Sequence, residues 1–236
     1  MSTFRRAVED AGYEPVKSEL KWLAHACDTA RNLDVFAAET LAPAAQMAPP
    51  PTSLEDLSGA VERARARANA QVAEVVASAR FRGLLIEATG WVDTGAWLQG
   101  EAADGSARRF ASKVLRKRFA GLVRDGHHLR AGPDEARHQV RIDAKKLRYA
   151  AEGFQGLYTR KDAKRFIDQL KTLQDELGAL NDLATAEAML PGLELDAPAA
   201  FAFGELVGLK AADKDRHIAA AAKALRRLAH IEPFWG

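Results

Sequence analysis

His138-Gln-Val-Arg141-Ile-Asp-Ala-Lys145-Lys146-Leu-Arg148-Tyr149 carries two helical stripes side by side. At about 100° per residue, His138, Arg141, Lys145 and Arg148 fall within one band roughly 80° wide. Val140, Ala144, Leu147 and Ala151 form a second band on the adjoining face. Such a helix packs one surface into a core and presents a row of cationic heads beside it. Like charges at i,i+3 and i,i+4 weaken a helix by about 0.2–0.5 kcal/mol per pair, so a row of them points to an anion as counterpart.

The charge around this helix is strongly segregated. Residues 105–165 hold 17 of the 34 Lys and Arg but only 6 of the 32 Asp and Glu, a local excess of +11 that leaves −9 for the rest of the chain. The overall net charge of +2 hides this asymmetry. A one-signed field of this kind steers a polyanion and weakens with salt. The preceding segment repeats the theme. Arg109, Lys113, Arg116 and Lys117 cluster on one helical face, flanked by Leu115, Phe119 and Leu122. If the two helices are antiparallel neighbours, their basic stripes line a shared groove.

The chain has 236 residues, enough for one large or two small domains with a proper core. Its single cysteine, Cys27, excludes a disulfide framework and a multi-cysteine metal site. No apolar run approaches the roughly 18 residues needed to span a bilayer, and the first residues lack the apolar segment of a signal peptide. The expectation is a soluble, cytoplasmic, monomeric protein that has no membrane contact and needs no cofactor.

Nearly all of it reads as helix, with Gly and Pro confined to a few breaks. Thr52-Ser53-Leu54-Glu55-Asp56 resembles a capping box opening a helix to about Ala88. Ser106 caps a helix to about Arg124, and Gly132-Pro133-Asp134-Glu135 opens the next, ending near Gly153–Gly156. Thr159 caps another through about Leu190, and Pro198 precedes a last helix ending near His230. Residues 41–52 read as a Pro/Ala-rich loop. Trp22, Trp91, Trp97 and Trp235 are expected in core or bundle-end packing, while Arg118, Arg130, Arg137 and Lys146 are expected in solvated surface or at the outer rim of the site.

A repeat runs through the chain at a single offset of 150 residues. It pairs Phe4 with Phe154, Leu20-Lys21 with Leu170-Lys171, Leu23 with Leu173, and Arg31-Asn32-Leu33 with Asn181-Asp182-Leu183. In this register the counterpart of His138 falls upstream of Met1, so the first copy of the basic helix is largely missing. The repeat divides the chain into an amino-terminal half, 1–100, and a carboxy-terminal half, 101–236.

His138–Tyr149 with Glu152 and Phe154 resembles the CHAD family, the conserved histidine α-helical domain. The likeness continues in Leu170-Lys171-x-Leu173-Gln174-Asp175-x-Leu177-Gly178-x-Leu180-Asn181-Asp182, in Arg31-Asn32-Leu33-Asp34-Val35, and in the closing Pro233-Phe234-Trp235. It spans essentially the whole chain, taken as a single CHAD domain of the stand-alone type. The resemblance implies an all-α fold of two pseudo-symmetric four-helix bundles. A basic groove between the bundles would bind inorganic polyphosphate without catalysis, with targeting to polyphosphate granules. Asn32 departs from the aspartate usual at its position.

These residues suit a phosphate chain. Arginine offers a planar fork to two oxygens, and lysine a mobile point charge. Arg141, Lys145 and Arg148 recur about every 5 Å along a helix, a spacing that can follow successive phosphates. His138 beside phosphate gains from carrying a proton. Lys171 is the best further ligand, with Lys21 its repeat partner, and Asp182 is expected to orient an arginine.

Other chemistries fit less well. Glu135-x-x-His138 has di-iron spacing, but no second Glu-x-x-His exists to complete such a site. Cys27 and His25 lie on different helix faces, and no Gly-rich loop with a following lysine is present. Nucleic-acid backbone binding is the main alternative, weakened by the scarcity of stacking aromatics among the cations. A scaffold recruiting other proteins through residues 60–80 is a third reading.

Overall fold

The computed structural model describes residues 3–99 and 105–236. Among them the chain is all-helical, with no strand, as the periodicity implies. The main helices are α1 (Tyr13–Phe36), α2 (Leu54–Ala77), α3 (Ala79–Thr94), α4 (Ala107–Asp125), α5 (Asp134–Phe154), α6 (Arg160–Met189), α7 (Ala197–Ala212) and α8 (Lys214–Ala229).

Several boundaries follow from local chemistry. The Ser106 hydroxyl accepts from the Arg109 N–H and caps α4, as expected. Pro133 stands immediately before α5, whose first turn carries Asp134 and Glu135 at the positive end of the helix dipole. The expected capping box at 52–56 does not form. Ser53 is left-handed (φ 57°) and makes no side-chain cap, and the Glu205 carboxylate instead accepts from the Thr52 N–H at 3.2 Å.

Two helices read as single are broken. Ser78 separates α2 from α3: its hydroxyl donates to the Val75 carbonyl at 2.6 Å and accepts from the Phe81 N–H at 3.1 Å, serving both ends. Asp213 separates α7 from α8 and takes an ion pair from Arg216 at 2.9 Å. The segment read as a loop begins with a π-helical turn, Ala37–Leu41, and a short helix, Ala42–Ala44, whose Leu41 and Ala44 are buried.

The chain forms two compact units, Met1–Ala103 with Thr185–Ala211, and Asp104–Ala184 with Ala212–Gly236. These differ from halves at 1–100 and 101–236 in the allotment of 185–211. The reason lies in α6, whose 30 residues make it about 45 Å long, so that its last turns reach beyond one core. Ala186 from those turns joins the core of the first unit with Leu33, Phe36, Leu57, Val61 and Phe203.

In the second unit α4, α5, the first part of α6 and α8 share one core, centred on Leu115, Leu147, Phe166, Leu170, Leu173 and Leu228. The closing Pro233-Phe234-Trp235 seals it. Trp235 is buried with its ring centroid 4.8 Å from that of Phe166, and its carbonyl accepts from the Ser112 hydroxyl at 2.8 Å. Trp22, Trp91 and Trp97 are half-buried in the first unit.

The repeat is visible in the helices but not in their surroundings. Phe154 and Leu170 are buried, whereas their partners Phe4 and Leu20 are 45% and 39% exposed. Arg5–Val8, a four-residue helical turn, stands in register with the 3-10 turn Gln155–Leu157 that ends α5. Among the described residues of the first unit no helix equivalent to α5 covers α1, and large apolar side chains such as Leu85, Ile86 and Val92 are exposed there as well.

Candidate functional site

Helix α5 is positioned at both ends. At its start Asp134 accepts from Lys214 of α8 at 2.8 Å and from Arg137 at 2.7 Å. Lys214, then Arg137, holds the Asp134 carboxyl below the usual carboxylate range. Arg137, with its side chain 13% exposed, also donates to the Leu129 and Arg130 carbonyls. Arg137 is therefore a structural clamp, not solvated surface. Arg118 departs from that expectation too: it is half-buried, and desolvation lowers its pKa despite the neighbouring Asp143.

Val140, Ala144, Leu147 and Ala151 face the core, all fully buried. The cationic stripe lies beside them. Arg141 and Arg148 project roughly 90° from the core direction and Lys145 and His138 roughly 150°, by helical geometry. The first three are half-buried and His138 is exposed. Arg148 reaches Glu152 only at 3.9 Å, and Lys145 makes no ion pair among the described residues. Both heads lie over the Tyr149 ring, at 5.2 Å for Arg148 and 5.9 Å for Lys145.

Across from this stripe runs α6, joined to α5 by a short connection that makes the two antiparallel. His138 Nδ1 lies 3.2 Å from Asn181 Oδ1 and fixes their register. Stepping along both helices at equal rise brings Arg141 level with Gly178, Lys145 with Gln174, and Arg148 with Lys171. Gly178 leaves open space at its missing Cβ. Among the described residues, Arg148 Nε and Gln174 Nε2 are buried without a hydrogen-bond acceptor. A buried donor left unpaired costs about 1–3 kcal/mol, so these two donors favour a further acceptor on this flank.

The α4 cations lie apart from this arrangement. Relative to the core direction set by Ala111, Leu115 and Leu122, Arg109, Lys113, Arg116 and Lys117 point roughly 120–220° round the helix. All four are exposed, and none pairs with a carboxylate among the described residues. Their stripe thus looks outward, away from the core that α4 shares with α5. Lys21 is exposed on α1 in the first unit, close enough to Glu14 to lower its pKa after the larger effect of Lys17. Sequence reasoning missed Gln174, whose role depends on its level opposite Lys145, and the cation pairing of Tyr149.

Among the described residues no cluster of His, Cys, Asp or Glu could hold a metal ion, and no helix is long and apolar enough to cross a membrane. The family model for the CHAD domain matches residues 1–191. The chain belongs to the CHAD family. Its fold is similar to that of the CHAD domain from the plant Ricinus communis, solved as a crystal structure. That match has a TM-score of 0.78 at 26% identity, covering 99% of this chain and 77% of the other. No curated protein matches the chain. CHAD domains are in general non-catalytic binding domains associated with polyphosphate. In this member the family's histidine signature lies on α5 and its second signature on α6, the two helices that form the flank.

Proposed function

We propose that this CHAD protein binds inorganic polyphosphate without turning it over, on the α5–α6 flank of its second unit. His138, Arg141, Lys145, Arg148 and Lys171 serve as ligands there. The observation that supports the reading is the pair of unsatisfied buried donors, Arg148 Nε and Gln174 Nε2, at the end of the cationic stripe of α5. Phosphate oxygens supply the acceptors and the charge together, and the open space at Gly178 admits them. Arg109, Lys113, Arg116 and Lys117 add attractive field from outside the seam, and Lys21 adds positive charge on the first unit. Association with cytoplasmic polyphosphate granules follows from such binding.

The test is retention of long-chain polyphosphate by the Arg141→Ala/Lys145→Ala/Arg148→Ala variant at physiological ionic strength. With charge-assisted contacts worth about 1.5–3 kcal/mol each, affinity falls by at least ~100-fold while helicity is kept. Parent-like retention overturns the assignment.

One observation favours a second reading. Tyr149 is 53% exposed between two cations, the arrangement that single-stranded nucleic acids use for base stacking. Tyr149→Ala separates the two: it weakens RNA or single-stranded DNA binding if bases stack there and leaves polyphosphate binding intact.

A further inference from the structure

The second unit holds a further basic recess, on the other side of α6. Arg165 and Gln169 of α6, with Lys223, Arg226, Arg227, His230 and Ile231 from α8 and the two residues after it, line an open depression of about 640 Å³. That volume lies within the range of small-molecule sites. On α6, Arg165 and Gln169 point roughly 120–180° away from Lys171 and Gln174, so this depression is distinct from the α5–α6 flank. Its α8 half lies beyond residue 191, where the family match ends.

The charges here lack counterparts. Arg165, Lys223, Arg226 and Arg227 form no ion pair among the described residues. On α8 the basic residues fall at i, i+3, i+4 and i+7, where like charges repel. The negative end of the α8 dipole offsets Arg226 and Arg227, which occupy its last turn. It does not account for Lys223 or for Arg165, which stands in the second turn of α6, beyond the first turn where a helix dipole acts. Helix-end electrostatics therefore explains two of the four cations and leaves Lys223 and Arg165 without such an offset. His230 keeps its place by an Nδ1 contact with the Arg226 carbonyl at 2.7 Å, and Ile231 gives the recess an apolar edge.

We propose that this recess is a second anion site, which takes a compact, multiply charged phosphate such as a short oligophosphate. Two arginines from one helix and a third from its neighbour converge on a volume that suits a few phosphate groups rather than a long extended chain. The site stands on its own residues and does not depend on the α5–α6 flank.

Tripolyphosphate is the probe, titrated calorimetrically into the full chain at physiological ionic strength. In the Arg141→Ala/Lys145→Ala/Arg148→Ala background, which removes the first flank, one tripolyphosphate site is expected to remain. It should disappear on adding Lys223→Ala/Arg226→Ala/Arg227→Ala, all at exposed positions. Arg165→Gln, made separately in the same background, leaves the α8 dipole untouched and should weaken the site as well. No tripolyphosphate binding in the flank variant, or unchanged binding after either recess change, overturns the proposal. Long-chain polyphosphate retention by the flank variant reports separately on the proposed function.

Discussion

His138 Nδ1 and Asn181 Oδ1 lie 3.2 Å apart across the antiparallel pair α5 and α6. This contact joins the two family signatures and sets which residues face each other along the flank. It also holds the imidazole through one nitrogen, leaving Nε2 for a ligand. Replacing Asn181 with Leu releases the ring. Polyphosphate affinity should then fall roughly three- to tenfold, the value of a hydrogen bond worth about 1 kcal/mol. Calorimetric titration with circular dichroism alongside checks this; unchanged affinity removes His138 from the ligand set.

Gly178 offers a test that adds bulk and charge without breaking a contact, since nothing meets a Cβ built there. Gly178→Ala should raise thermal stability, because glycine inside a helix costs about 0.5–1 kcal/mol relative to alanine. Gly178→Glu should keep that stability and sharply weaken polyphosphate binding, since its carboxylate would compete for Arg141. Equal affinity in both variants would mean that phosphate does not approach Gly178.

The outward α4 stripe should act through its field alone. Arg116→Ala/Lys117→Ala is expected to slow association at low salt and to change affinity little at physiological salt, where screening reaches within about 8 Å. Stopped-flow rates across a salt series make the distinction. A large loss that persists at physiological salt would bring α4 into direct contact with the ligand.

Asp134 links α5 to α8 through Lys214, and its carboxyl pKa is lowered by that hydrogen bond first. A folded-state value below the unfolded one contributes stability that is fully present above the unfolded value. That contribution is lost as pH falls through the folded value. Asp134→Asn should therefore be less stable than the parent at neutral pH, by about 0.2–1 kcal/mol for so exposed a pair. The difference should vanish in acid. Urea midpoints at several pH values decide; a constant difference contradicts the linkage.

Gly126 permits the close approach of α8 to the end of α4, since a Cβ there would collide with the Leu225 side chain. Gly126→Ala should cost about 1–3 kcal/mol as Leu225 is pushed off its place in the core. The melting temperature reads this directly, and an unchanged value would show that Leu225 has room to move.

The stripes of α5 were legible because helical period and residue type act within one element. The same reasoning failed at Ser78 and Asp213, where neither glycine nor proline marks the break. Only the hydrogen bonds to the Ser78 hydroxyl and the ion pair at Asp213 mark those ends. It failed again at Arg137, whose partners include carbonyls seven and eight residues upstream. The basic recess went unread because Arg165 and Lys223 are far apart in the chain and meet only through packing of α6 against α8.

Periodicity, charge segregation and the 150-residue repeat determined from sequence alone that the chain is helical and carries a cationic stripe beside an apolar one on α5. Both are properties of a single helix, set by 3.6 residues per turn and the chemistry of each side chain. Tertiary structure alone decided which cations become half-buried, which donors are left without acceptors, and which α6 residue stands level with each α5 cation. It also decided that α4 turns its stripe outward and that Phe4 and Leu20 are exposed where their repeat partners are buried. Burial and pairing depend on which helices meet, and the packing of the whole chain sets that.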